Sequence, residues 1–310
     1  MDPALAQLGW TEDQWNRICT TVTEEAQKAR VAAQILPVIG PEDSSTIAIP
    51  RLAFDTEPPP LGPWPTLERP FVDSNPNLNL TTISAFVPLR GHEVADPNLA
   101  AALTMFRRAA NYVARIEDAL VFNGRSGVDN PPIAIPGPAV AGIPDIYRLA
   151  TDGLAEPGIL NGAENIVPLP RTPTGQQLVT GIVEAITLLE NEGQLPPFAC
   201  VLGTDLFVLA HTPDPDSYVM PRDRILPLIQ GPLVRTSTAF PRWGALIALN
   251  GNPIELVVAS DIGVQYLQTT VEPRYVFRVV ERVALRIKEP SAIAVFITQD
   301  DEKDQGKEQA

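Results

Sequence analysis

Cysteine and histidine are both scarce, with two of each in 310 residues. Cys19 and Cys200 are too few for a disulfide framework, and both lie in apolar stretches that suit buried free thiols. His92 and His211 leave little material for the commonest general base and a leading metal ligand. Long apolar runs are missing as well. None approaches the roughly 20 residues that cross a bilayer, so no membrane partner is expected. The opening MDPALAQLGW lacks the basic flank and apolar stretch of a signal peptide, so a cytoplasmic protein is expected. No P-loop, dinucleotide fingerprint, HExxH or G-x-S-x-G elbow occurs. NGRSGVDN, at 123–130, sets glycines near an arginine but follows a helical pattern, so it reads as a helix stop and turn. A Cys–His nucleophile is disfavoured because desolvation opposes a thiolate at both cysteines. No catalytic residue, cofactor or metal site is therefore expected.

Positive charge is in deficit: 23 Lys and Arg face 37 Asp and Glu, a formal net charge of -14. Such a surface repels phosphate backbones, so nucleic acid is not an expected partner. What the chain does have is apolar substance, 45% of residues, and 33 prolines. The first supports a sizeable core; the second, about twice average usage, calls for long extended segments.

Residues 10–36 read as an amphipathic helix opened by a Thr11–Gln14 capping box and stopped by Pro37 and Gly40-Pro41. Its stripe is Trp15, Ile18, Val22, Ala26, Ala29 and Ala33, at three- and four-residue steps. Residues 42–77 are studded with proline yet keep Phe54, Trp64 and Phe71, which marks an arm that packs on something outside itself. A strand composition follows at 78–87. Then comes a long helix over 97–122, ended by Asn123-Gly124, and a second over 174–192. Short strands are expected at 198–203 and 245–249, with the loop HTPDPDSYVMPRD between them. The end of the chain is β: an apolar run at 254–260, an alternating segment at 275–288 and a buried strand at 292–297. In the alternating segment, Tyr275, Phe277, Val279, Val283, Leu285 and Ile287 face one way, and Arg278, Arg282, Arg286 and Lys288 the other. That basic face reads first as a solvated sheet face; it also suits acidic partners, including copies of the same chain. The last residues, 299–310, are polar and acidic and are expected to be disordered.

His211, Asp214 and Asp216 offer nitrogen and oxygen ligands, but a Pro-Asp turn in solvent is the plainer reading. The loop gains interest only where symmetry gathers several copies around one axis and a carboxylate ring focuses negative potential on a pore.

The order of several segments resembles the encapsulin shell proteins. GWTEDQW runs into ILPVIGP, a long arm follows, and a helix ends in EDALVFNG; later come VVASDIGVQYLQ, YVFRVVERVALRI and KEPSAIAVF. The correspondence covers about residues 10–297 and is weakest over 125–165. The resemblance implies an α+β fold like that of tailed-phage major capsid proteins. Its parts would be an N-terminal helix (1–41), an E-loop (42–77), a P-domain (78–165 and 254–298) and an A-domain (166–253). It implies self-association, about 60 or more copies in a closed shell, with no enzymatic activity. It also implies cargo enzymes, ferritin-like or peroxidase-type, held by a terminal targeting peptide on the inner wall. The matching surface is Arg30, Ala33 and Leu36 with Ile262, Val264 and Tyr266. Ala33 and Pro37 stand where relatives can have a basic and an acidic residue, so a more apolar groove is expected. The pore loop falls on His211, Asp214, Asp216 and Tyr218. No tryptophan near 88–95 matches the flavin-binding aromatic of some relatives, and no flavin is expected. A phage capsid protein is the nearest alternative, and a soluble α+β enzyme the alternative of a different class.

Overall fold

The computed structural model describes residues 8–41, 48–50, 52–56, 70–73, 77–129, 149–152, 157–213, 218–270 and 274–298. Helix α1 (Glu12–Ala29) starts at the capping box read from sequence: Gln14 N–H donates to the Thr11 hydroxyl, and Thr11 N–H donates to the Gln14 side chain. Ile18, Val22 and Ala26 make its buried face. The helix does not run to residue 36. Arg30 is extended (φ -65, ψ 130), and a single turn, α2 (Ala32–Ile35), follows. The break has a local cause. The Asp118 carboxylate accepts the N–H groups of Val31 and Ala32, so α2 is capped by a side chain from another helix.

Strand β1 (Val38–Ile39) then joins a sheet edge. The arm is an antiparallel hairpin in its described part, with β2 (Ala48–Pro50) on β5 (Asn77–Asn79) and β3 (Ala53–Thr56) on β4 (Pro70–Asp73). Its root is tied down: Ile49, Leu78 and Leu80 are buried with Val257, Ala259 and Ala284. Residues 57–69, the outer part of the arm, lie outside the described residues, as does the acidic tail 299–310.

Strand β6 (Thr81–Arg90) leads through the short helix α3 (Gly91–Val94) into α4 (Ala100–Asp129), whose helical path is interrupted at Gly124 (φ 64, ψ -155). After β7 (Leu149–Asp152) come β8 (Asn165–Leu169), α5 (Gly175–Asn191), β9 (Phe198–Leu202), α6 (Thr204–Ala210) and α7 (Pro221–Ile229). The stretch between the two expected short strands thus carries helices as well as a loop. Four strands finish the described chain after the short β10 (Leu233–Arg235): β11 (Gly244–Ala248), β12 (Ile254–Thr269), β13 (Arg274–Ile287) and β14 (Ile293–Thr298).

The strands form two five-stranded sheets, ordered β1-β12-β13-β6-β7 and β10-β9-β11-β14-β8. In the first, the alternation of β13 holds: Phe277, Val279 and Val283 are buried against α1 and α4. The second is covered on both faces, which explains the unbroken apolar runs of β9 and β11. Ala199, Val201, Ala245 and Ile247 join the core shared with α4, while Cys200, Leu202, Leu246 and Phe296 join α5, α6 and α7. Helix α4 is therefore the spine common to both sheets. Strand β14 pairs with β11 and β8, so the chain crosses from the first sheet to the second at the 3-10 turn Pro290–Ala292.

The basic face of β13 is not simply solvated. Arg286 reaches the Glu255 carboxylate at 2.6 Å and Lys288 pairs with the same group, both ion pairs lying inside one subunit. Arg278 donates to Gln265 at 2.6 Å. Cross-strand register sets these pairs: Glu255 lies opposite Arg286, and Gln265 opposite Arg278.

Candidate functional site: the surface between the N-terminal helix and β12

Helix α1 lies along β12 and α4, so the first sequence segment and the third-last strand share a seam. Trp10 anchors it. Its indole N–H donates to the Val94 carbonyl at 2.8 Å, and its ring stacks on Phe277 at 5.2 Å. Phe277 in turn meets Phe106 and Tyr266 edge-on, each at 5.4 Å. Sequence reading gave Trp10 no role; its position just ahead of the cap was the available signal, an apolar residue placed to fix the angle of helix entry.

The structure brings the six expected groove residues into this seam but not into one surface. Ile262 and Leu36 are buried, and Arg30 is only 8% exposed. Ala33, Val264 and Tyr266 remain half-buried, with the Tyr266 hydroxyl 2.6 Å from that of Thr269. Ile262 and Leu36 thus belong to the core rather than to an open surface.

Arg30 is occupied elsewhere. Its guanidinium pairs with Glu117 of α4 (2.6 Å), with Asp261 of β12 (3.1 Å) and with Glu281 of β13. Glu117 and Glu281 are fully buried and share Arg30 as their ion-pair partner; Asp118 is 2% exposed. Burial pushes the Glu281 carboxyl well above the usual range, and Glu117 beside it adds to that. Burial also raises Glu117, against the pull of Arg30. Asp118 is pushed up to about 8 by burial, against the two backbone N–H groups that it accepts. This cluster was missed from sequence. Its signal was Glu281, an acid on the apolar parity of an otherwise regular strand.

The expected pore residues lie at the far end of the second sheet's helices. His211 caps α6, half-buried, with Nδ1 donating to the Phe207 carbonyl at 2.9 Å and its ring 4.1 Å from that of Phe207. Tyr218 is 85% exposed, with Val219 and Met220 exposed beside it. Asp214 and Asp216 lie outside the described residues. Burial raises both thiols, Cys200 to about 12 and Cys19 above its ordinary value. Among the described residues no group of acids, histidines and cysteines is arranged to hold a metal ion, and no helix is long and apolar enough to cross a membrane.

A sequence model of the family described as "encapsulating protein for peroxidase" matches residues 150–284. The type 1 encapsulin shell protein EncA of Myxococcus xanthus is 24% identical over 292 residues, covering 92% of each chain. The chain is therefore similar over most of its length to an encapsulin shell protein. The matched family is one of structural shell proteins that enclose a cargo such as peroxidase, and not one of enzymes. Solved structures agree on the fold. The virus-like particle from Pyrococcus furiosus superposes with a TM-score of 0.63 at 15% identity, over 93% of this chain and all of that one. The capsid of Myoviridae phage XM1 gives 0.58 at 13% identity, over 85% of this chain and 90% of that one. The α+β major-capsid fold expected from the sequence is the fold of this chain.

Proposed function

We propose that this chain is an encapsulin that closes into a shell of about 60 or more copies in the cytoplasm, and takes up a cargo enzyme by a peptide docked between α1 and β12. The first sheet with α4, here the P-domain, would carry the wall. The second sheet with α5, α6 and α7, the A-domain, would gather at an axis, with His211, Asp214, Asp216 and Tyr218 near its opening. The exposed run of Tyr218, Val219 and Met220 supports this, because one subunit alone leaves it uncovered.

The observation that carries the cargo reading is the seam itself. Ala33, Val264 and Tyr266 are half-buried residues packed against the core, and Tyr266 meets the stacked Phe277 and Trp10. Such a surface recognises an extended apolar segment, with Arg30 unavailable because it serves the cluster beneath. A peroxidase-type enzyme is the first cargo to examine, given the family's description, and a ferritin-like protein the second.

The test uses a fluorescent protein fused to the C-terminal segment of a peroxidase-type enzyme from the same organism and co-expressed with the shell. Wild-type particles should retain it through size exclusion. Val264→Asp should form hollow particles of the same size by negative stain but lose most of the fluorescence, since the charge enters an apolar edge. Equal retention by both shells removes the groove, and a small oligomer in place of particles removes the shell reading for this chain. Ile262→Asp is the poorer probe, because that buried site tests folding first.

A further inference from the structure

Four carboxyl groups and one cation meet where α1 gives way to α2. Arg30 comes from the break, Glu117 and Asp118 from α4, Asp261 from β12 and Glu281 from β13. With every group ionised the cluster would carry four negative charges against one positive, three of the acids having no contact with solvent worth the name. Buried like charges at this range are not tolerated. Arg30 pairs with both Glu117 and Glu281, so the two buried carboxyls meet at one guanidinium, and Glu117 beside it raises Glu281.

We propose that this cluster is a proton-operated hinge, which clamps the end of α1 and the whole of α2 onto the wall while its carboxyls share protons and releases them when the protons leave. The mechanical case rests on where each partner sits. Glu117, Asp118 and Glu281 are fixed in a long helix and a central strand, each packed on both sides by core residues. Arg30 and α2 are not. Arg30 stands at a break in helical backbone, and α2 is one turn whose first N–H groups are held by Asp118. Repulsion in the cluster is therefore relieved most easily by moving the break outward, which lets water reach the acids.

The direction with pH follows from the burial-raised carboxyls. Free carboxyls ionise near pH 4, whereas these hold protons to higher pH, Asp118 to about 8. The docked state binds more protons than the released one across that interval, so docking is fullest at low pH and weakens as pH rises through it. Release opens the edge carrying Ala33, so the hinge would regulate cargo capture; that consequence rests on the groove reading, while the hinge itself does not.

The experiment is hydrogen exchange by mass spectrometry on assembled, empty wild-type shells and on Glu281→Gln shells at pH 6 and pH 9. Comparing the two proteins at one pH cancels the chemical dependence of exchange. The amide that replaces the Glu281 carboxyl keeps an acceptor toward Arg30 but has no charge to lose. Peptides from 12–36 should exchange alike in both at pH 6. At pH 9 the wild type should exchange about tenfold faster than the variant, a proton's worth over one pH unit, while α4 and both sheets stay protected. Should Glu281→Gln fail to fold, Asp261→Asn serves; Asp261 is half exposed, and removing its charge should move the wild-type transition to higher pH. Equal exchange at pH 9, or loss of protection throughout the subunit, overturns the hinge. Failure of the fluorescent cargo to load leaves this result standing, because no cargo is present.

Discussion

Gly158 shows how closely the wall is fitted at the level of single residues. A Cβ built there would lie 2.2 Å from Gly124 N and 2.6 Å from the Phe122 carbonyl, all backbone that has nowhere to go. The close approach exists because the 157–162 segment finishes α4: Ile159 and Leu160 N–H donate to the carbonyls of Val121 and Phe122, each at 2.8 Å. Gly158→Ala is expected to cost about 1–3 kcal/mol, the range for overpacking a tight site. The check is a lower unfolding temperature of the particle, and an unchanged transition would show that the segment moves freely. The sequence placed Asn123-Gly124 as a helix stop, which the positive φ of Gly124 bears out. It gave no hint of Gly158, whose need for glycine comes from a partner more than thirty residues earlier in the chain. Glu281 lay between these extremes. Period-two alternation put it on the apolar parity, but only the structure supplies Arg30, 251 positions away, as the reason an acid is tolerated there.

Elements were legible where local chemistry decides and illegible where a distant side chain does. The Thr11–Gln14 capping box starts its helix as read, and the second helix, expected from 174, opens on a Thr174–Gln177 box that the structure adds. The break at Arg30 was hidden, because Asp118 supplies the cap from another element. Helices α6 and α7 are short and lie in a Pro-rich stretch, so no sustained period announced them. The arm was read as packing outside itself, and the described part refines this: its root is fixed to its own sheet through Ile49 and Leu78. Root and reach are then separable. Leu78→Asp places a charge in that buried contact. It should cut the yield of closed particles several-fold while the far-ultraviolet circular dichroism of the unassembled subunit stays close to wild type. A full yield of particles would mean that the arm holds its direction without its anchor.

At the scale of the whole molecule, a subunit with a formal net charge of -14 must meet copies of itself. Screening at physiological salt reaches only about 8 Å, so contact surfaces must outweigh repulsion locally. The ion pairs of Glu255 with Arg286 and Lys288 do not help between copies, because they are closed within one subunit. Apolar candidates for such contacts are the exposed Tyr218 to Met220 and, in the sequence of the arm, Phe54, Trp64 and Phe71. In sequence these residues are a large apolar burden for an arm, and in a closed lattice a neighbouring copy would be their burial partner. Each subunit makes several such contacts at once, so the loss of one kind should act on the particle far more than on the fold. Replacing 57–69 by Asn-Gly, a two-residue turn that closes a hairpin without strain, tests this on the full remaining chain. The shortened protein should elute as a monomer or small oligomer with a cooperative thermal transition, and no particles should appear in negative stain at any salt concentration. Intact shells from that variant would place the holding contacts outside the arm, leaving the axial end and the sheet edges to close the cage.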